Sequence, residues 1–139
     1  MQQSPEMTGE IVLIVEDVGT CATTLEMALL PIPNIHVVVL TAARDALRIL
    51  ERDDNPVRAV ITDLNMPRMD GFELIERIRA VPRYRRLPII VVSGDTDPET
   101  PNRLSALGVA GFFPKPYSPA QVRLKLEQLL DDNRADGSR

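Results

Sequence analysis

Five times along its length the chain sets a short apolar run, rich in branched residues, ahead of a segment with helical spacing. That alternation constrains the fold more than any other feature. The first run, Ile11-Val12-Leu13-Ile14-Val15, is apolar at every position, as expected of a strand buried on both faces. The runs Val37 to Leu40, Val57 to Thr62, Ile89 to Val92 and Ala110 to Phe113 continue the series. Between them, Leu25, Ala28 and Leu29 share one helical face, as do Ala43, Ala46, Leu47 and Leu50, and then Gly71, Leu74, Ile75 and Ile78. Pro31 and Pro33 stop the first helix, and the third ends before Pro82. Pro98 and Pro101 restrict the fourth, which is expected to begin near Pro101, turn Leu104 and Leu107 inward, and end at Gly108. Ser118 can cap a last helix carrying Val122, Leu126, Leu129 and Leu130.

Strands alternating with helices imply an α/β domain: a parallel sheet covered on both faces, joined by right-handed crossovers. For five such units the expected arrangement is a flavodoxin-like doubly wound sheet in the order 2-1-3-4-5. At 139 residues there is room for one ordinary domain, placed at 10–131. The polar stretches 1–9 and 132–139 are expected to be disordered. No apolar run approaches the roughly 18–20 residues needed to cross a bilayer, and the N-terminus has neither the basic start nor the apolar core of a secretory signal. A single cysteine, Cys21, excludes an internal disulfide and a thiolate metal cage and suits a reducing cytoplasm. The formal net charge of −4 argues against nucleic acid as a direct ligand. Of sixteen basic residues only Lys115 and Lys125 are lysines, so the position of each is informative.

In doubly wound sheets, ligands bind beyond the carboxyl ends of the strands. The chain ends its first strand in Glu16-Asp17, its third in Asp63, its fourth in Ser93-Gly94-Asp95 and its fifth in Lys115-Pro116. Two carboxylates about 4 Å apart repel by roughly 4 kcal/mol at an effective dielectric near 20, and one lysine does not offset three acids. Any one of these acids could simply be solvated; the set at corresponding strand ends calls for a cation. A hard divalent ion that keeps several waters and binds one or two carboxylates plus a phosphate points to Mg²⁺. A carboxylate can serve as a nucleophile and form an acyl phosphate, and phosphoryl transfer asks mainly for positioning and charge neutralisation. Asp63, on the middle strand of the expected order, is the best nucleophile; Glu16 and Asp17 would hold the metal, Lys115 would neutralise phosphoryl oxygens, and Ser93 would donate a hydrogen bond.

These residues resemble the response-regulator receiver domain of two-component signalling. The resemblance rests on the acidic pair in Val15-Glu16-Asp17, the run Asp63-Leu64-Asn65-Met66-Pro67-Arg68-Met69-Asp70-Gly71, the hydroxyl in Val92-Ser93-Gly94, and Phe112-Phe113-Pro114-Lys115-Pro116. It spans roughly Glu10 to Leu130. It implies that Asp63 is the phosphoacceptor, charged by a sensor histidine kinase or a histidine phosphotransfer protein. It implies that Asp17 and Asp63 bind Mg²⁺ directly, Glu16 largely through water, with the backbone carbonyl of Asn65 completing the protein ligands. Lys115 and Ser93 would read the phosphoryl group, Phe112 would stand at the position of the aromatic switch, and Lys115-Pro116 would be a cis peptide.

The implied function is that of a stand-alone cytoplasmic response regulator. It would assist only its own phosphorylation and dephosphorylation rather than act as an enzyme on other substrates. Output would pass through a separate protein or through homodimerisation on phosphorylation, with no membrane and no direct nucleic-acid partner. Three alternatives stand beside this reading. One is a degenerate docking module, opposed by the intact acids, Ser93 and Lys115. Another is an aspartyl-nucleophile phosphatase, opposed by Asn65 where a second acid would stand. The third is a flavin-binding module, opposed by the lack of a phosphate-cradling loop after the first strand. Pro98 and Pro101 are departures that put the usual signalling surface, the fourth helix with strand and helix five, in question. His36 is expected at the surface or a strand edge. The arginines from Arg77 to Arg86 are expected on a solvated helix end and loop, with an acidic partner as the alternative.

Overall fold

The computed structural model describes residues 10–52 and 56–137. The element order is β1 (Glu10–Val15), α1 (Gly19–Leu29), β2 (Ile35–Leu40), α2 (Ala43–Leu50), β3 (Val57–Thr62), α3 (Gly71–Arg79), a 3₁₀ turn (Pro82–Tyr84), β4 (Ile89–Ser93), α4 (Thr100–Ala106), β5 (Gly111–Pro114) and α5 (Pro119–Gly137). The five strands form one parallel sheet in the order β2-β1-β3-β4-β5, as the alternation predicts.

Side chains alternate across a strand, and here each face has its own core. Ile11, Leu13 and Val15 of β1, Val60 of β3, and Ile89 and Val91 of β4 pack toward Ala46 of α2, Leu74, Ile75 and Ile78 of α3, and Leu104 of α4. The intervening Val12, Ile14, Ala59, Ile61, Ile90 and Val92 pack toward Leu25 and Leu29 of α1 and Val122, Leu126 and Leu130 of α5. Burial on both faces explains why the central strands carry no polar alternation. β2 lies at the sheet edge and is only partly covered, with His36 exposed on it.

The prolines act where a missing N–H is harmless. Pro101 sits in the first turn of α4, which starts one residue earlier than the sequence suggests. α4 is only seven residues long, and Leu107 caps it before Gly108 takes a φ of 71°. Leu104 is buried, whereas Leu107 is only partly so. Asp70 caps α3 by accepting the Glu73 amide at 2.9 Å. Ser118 caps α5 through its hydroxyl and the Gln121 amide, 3.3 Å apart.

Two expectations need correction. The C-terminal tail does not begin at residue 132: α5 runs on to Gly137, because nothing from Asp131 to Asp136 breaks a helix. Residues 138–139 and the expected disordered segment 1–9 lie outside the described residues. Nor is the arginine run merely a solvated edge. Arg79 is half-buried and donates to the carbonyls of Leu107 (2.8 Å), Tyr84 (2.9 Å), Leu87 (2.9 Å) and Gly108 (3.0 Å). Burial alone lowers its pKa. One guanidinium thus ties the end of α3 to the segments entering β4 and β5.

Candidate functional site

Glu16 and Asp63 stand one residue beyond the ends of β1 and β3, and their backbones continue the sheet's bonding. The Glu16 amide donates to Leu40 O at 2.9 Å, and the Asp63 amide to Val15 O at 3.1 Å. Both side chains are nearly inaccessible to solvent, while Asp17 is exposed. Asp63 Oδ1 accepts the amides of Leu64 (2.6 Å) and Asn65 (3.3 Å), and Oδ2 accepts Lys115 Nζ at 3.0 Å. The same ammonium lies 3.2 Å from Glu16 Oε1, and Glu16 Oε2 accepts the Val18 amide at 3.3 Å.

Gly71 holds the loop after Asp63 against α3. Its amide donates to Leu64 O at 2.8 Å, and a Cβ there would overlap the Asp63 carbonyl oxygen and lie 2.7 Å from Leu64 Cα. Between them, the Met69 amide bonds Pro67 O at 2.9 Å around Arg68, whose φ is 75°. Ser93 is buried at the end of β4. Its Oγ accepts the Asp95 amide at 3.0 Å, which leaves its own proton free to be donated, and its carbonyl accepts the Lys115 amide at 2.8 Å. The Lys115–Pro116 peptide is cis.

The electrostatics follow from this crowding. Burial, then the Asp63 charge, raises the Glu16 pKa above the ordinary carboxylate value; the Val18 amide and Lys115 only partly offset them. Burial opposes the Lys115 charge, but the hydrogen bond and charge of Asp63, followed by Glu16, outweigh it and raise the lysine pKa. Oxygens of Glu16, Asp17 and Asp63 come within 4.8 Å of one another. Three hard carboxylate donors, two of them sharing a single ammonium, fit a small divalent cation better than a soft metal.

The sequence-derived set is therefore divided. Glu16, Asp17, Asp63 and Lys115 converge, and Ser93 is joined to Lys115 through the backbone. The amide of Asn65 binds Asp63, and its side chain is exposed. Phe112 is half-buried and packed on the core shared by α2, α3 and α4. The sequence reading passes over Tyr117. It is half-buried near the site, and its pKa is pushed up to about 12 by burial, then by Cys21 and Glu16. Its one sequence signal is its place directly after Lys115-Pro116.

The model of the response regulator receiver domain matches residues 12–127. The chain belongs to this family. A chemotaxis protein CheY homolog of Campylobacter jejuni is 30% identical over 128 residues, covering 91% of this chain and 96% of that protein. Among solved structures, a response regulator receiver protein from Pseudomonas putida is 33% identical with a TM-score of 0.77, covering 86% of this chain and 97% of that one. The chemotaxis response regulator CheY4 of Vibrio cholerae is 27% identical with a TM-score of 0.75, over 88% and 99%. Receiver domains are signalling domains that work with sensor kinases, and the flavodoxin-like order of five parallel strands is theirs. Among the described residues no helix is long and apolar enough to cross a membrane.

Proposed function

We propose that this receiver domain accepts a phosphoryl group on Asp63 from the phosphohistidine of a sensor kinase or histidine phosphotransfer protein, and relays the change to a partner. The observation that carries the reading is the position of Lys115 Nζ, 3.0 Å from Asp63 Oδ2 and 3.2 Å from Glu16 Oε1. A buried nucleophile with a cation on one oxygen and two backbone amides on the other is oriented before any donor arrives. In the transfer, an Asp63 oxygen forms a bond to phosphorus as the phosphorus–nitrogen bond of the donor breaks. The bonding pair leaves with the imidazole, which takes up a proton from solvent. Lys115 offsets the charge on the phosphoryl oxygens, and the Ser93 hydroxyl donates to one of them. Glu16, Asp17, Asp63 and the Asn65 carbonyl would hold Mg²⁺, which when bound supplies further charge neutralisation. Slow hydrolysis of the acyl phosphate would reset the domain.

The relay would run through Ser93 and Phe112. Phosphorylation shifts a two-state equilibrium only as far as the two states differ in their contacts with the phosphoryl group. Ser93 drawn toward that group would move the β4–α4 connection, and Phe112, lacking a hydroxyl, would answer by packing alone. Output then passes to a separate protein or through self-association, in a cytoplasmic setting that suits the free thiol of Cys21.

The test uses a small-molecule phosphodonor with Mg²⁺, read by intact mass. A single phosphoryl adduct is expected, reduced to background by Asp63→Asn and absent when Mg²⁺ is chelated. An adduct that survives Asp63→Asn moves the acceptor elsewhere. Multiple turnover of phosphate monoesters favours a phosphatase, and no adduct from any donor favours a docking module.

A further inference from the structure

A groove of about 440 Å³ lies between the start of α2 and the β3–α3 loop, and none of Glu16, Asp17, Asp63, Ser93 and Lys115 lines it. Four arginines line it: Arg44, Arg48, Arg68 and Arg77. Two of them have local partners on exposed helix surface: Arg48 lies 3.6 Å from Asp45, and Arg77 lies 2.8 Å from Glu73. Arg44 and Arg68 are exposed and make no ion pair or hydrogen bond among the described residues. Asp45 and Glu73 also line the groove, so four positive charges face two negative ones in a chain whose net charge is −4.

Arg68 adds an observation that charge alone does not supply. It is the central residue of a three-residue turn, with φ at 75° and the Met69 amide bonded to Pro67 O. Glycine would adopt that backbone without strain, and a long branched-head side chain does not. Strained backbone of this kind gathers at functional sites and switch regions. The turn places Arg68 in the lining of the groove, five residues after Asp63 in the sequence.

We propose that this α2–α3 groove docks an acidic segment of a partner protein, whose carboxylates pair with Arg44 and Arg68. The exposed Asp45–Arg48 and Glu73–Arg77 pairs are weak enough to exchange when a competing carboxylate arrives. Guanidinium forks match carboxylates two bonds at a time, so arginine rather than lysine suits such a groove. The partner class rests on the proposed relay to a separate protein; the charge and geometry of the groove do not.

The experiment titrates ¹⁵N-labelled protein with a short oligoglutamate peptide at low salt, with pyrophosphate and oligolysine as comparisons. Expected are peptide-induced shifts centred on the amides of Arg44, Arg48, Arg68 and Met69, weakened by salt. Binding should fall at least tenfold in the double variant Arg44→Glu, Arg68→Glu. Arg68→Gly, which removes the guanidinium while relaxing the turn, should give a smaller loss in a fully folded protein. Phosphoryl adduct formation on Asp63 should match the parent's in both variants, so failure of the acceptor reading and failure of the groove are told apart. Shifts centred instead on Arg83 to Arg86, equal binding by the double variant, or shifts with pyrophosphate but not peptide each overturn the proposal.

Discussion

The two halves of the sheet rim are built to different tolerances. On β1 and β3, Glu16 and Asp63 are buried, their backbones are locked into neighbouring strands, and Asp63 is held on both oxygens. On β4 and β5, Ser93 is buried, but the chain beyond it is looser. Gly94 is exposed, α4 has seven residues, and β5 is half-buried along Gly111 to Phe113. That side is secured by a few point contacts instead: Arg79 on four carbonyls, and Arg103 stacked 3.7 Å over the Phe72 ring. The difference teaches where each proposed task fits. A nucleophile and a cation site would need sub-ångström constancy, which the doubly buried strands provide. A relay would need two accessible arrangements, which suits the side where few contacts have to be exchanged.

The largest expected effect tests the rigid half. Gly71→Ala places a methyl group into the Asp63 carbonyl and the Leu64 backbone, neither of which is a flexible side-chain tip. A loss of about 3 kcal/mol is expected from overpacking at a site that cannot yield. Denaturant unfolding measures it. Phosphoryl uptake should drop as well, because the loop that orients Asp63 Oδ1 must shift. A variant with parent-like stability and uptake would mean that the rigid half is softer than the β1–β3 geometry implies.

Next in size is the point contact that stands in for packing on the other side. Arg79→Ala leaves four carbonyls without their shared donor, a loss expected near 2 kcal/mol. The local signature is sharper than the global one: amide exchange should quicken around Gly108 to Ala110 while β1 and β3 keep their protection. Uniform acceleration across the sheet would erase the distinction between the halves. Arg79→Lys should recover little, since one ammonium cannot span four acceptors in the guanidinium plane.

The same division governs how much of the molecule is legible in its sequence. β1, β3 and β4 announce themselves as unbroken branched-apolar runs, and the acids at their ends follow from the rule that such sheets gather ligands at their carboxyl rim. α4 is harder to bound. Two prolines obscure its start, and only Gly108, with its positive φ, marks its end. Arg79 is invisible because its partners are backbone carbonyls up to 29 residues away, and a carbonyl carries no side-chain identity for a sequence to display. The extension of α5 to Gly137 escapes a reading that equates polar composition with disorder, although no breaker stands there. Gly71 is visible as the start of α3, but the contact with Asp63 that forbids any other residue exists only in three dimensions.

The smallest effect concerns the electrostatics of the rigid half. In metal-free protein, burial and the Asp63 charge raise the Glu16 pKa, so the folded state holds that proton more tightly than the unfolded chain does. The stability linked to this group is then full below the ordinary glutamate pKa. It is lost as pH rises through the raised value. Lys115 contributes in the same sense but over a higher window: its raised pKa keeps its contribution intact below the ordinary lysine value, so it is constant near neutrality. Glu16→Gln keeps an oxygen for Lys115 and removes a charge beside Asp63. Without metal at neutral pH the variant is expected to be more stable than the parent by about 1 kcal/mol, with a flatter profile between weakly acidic and neutral pH in thermal melts. Saturating Mg²⁺ should stabilise the parent more than the variant and close that gap. If the variant is instead the less stable protein at neutral pH without metal, the buried pair with Lys115 outweighs the repulsion, and the rim needs no further cation to hold its acids together.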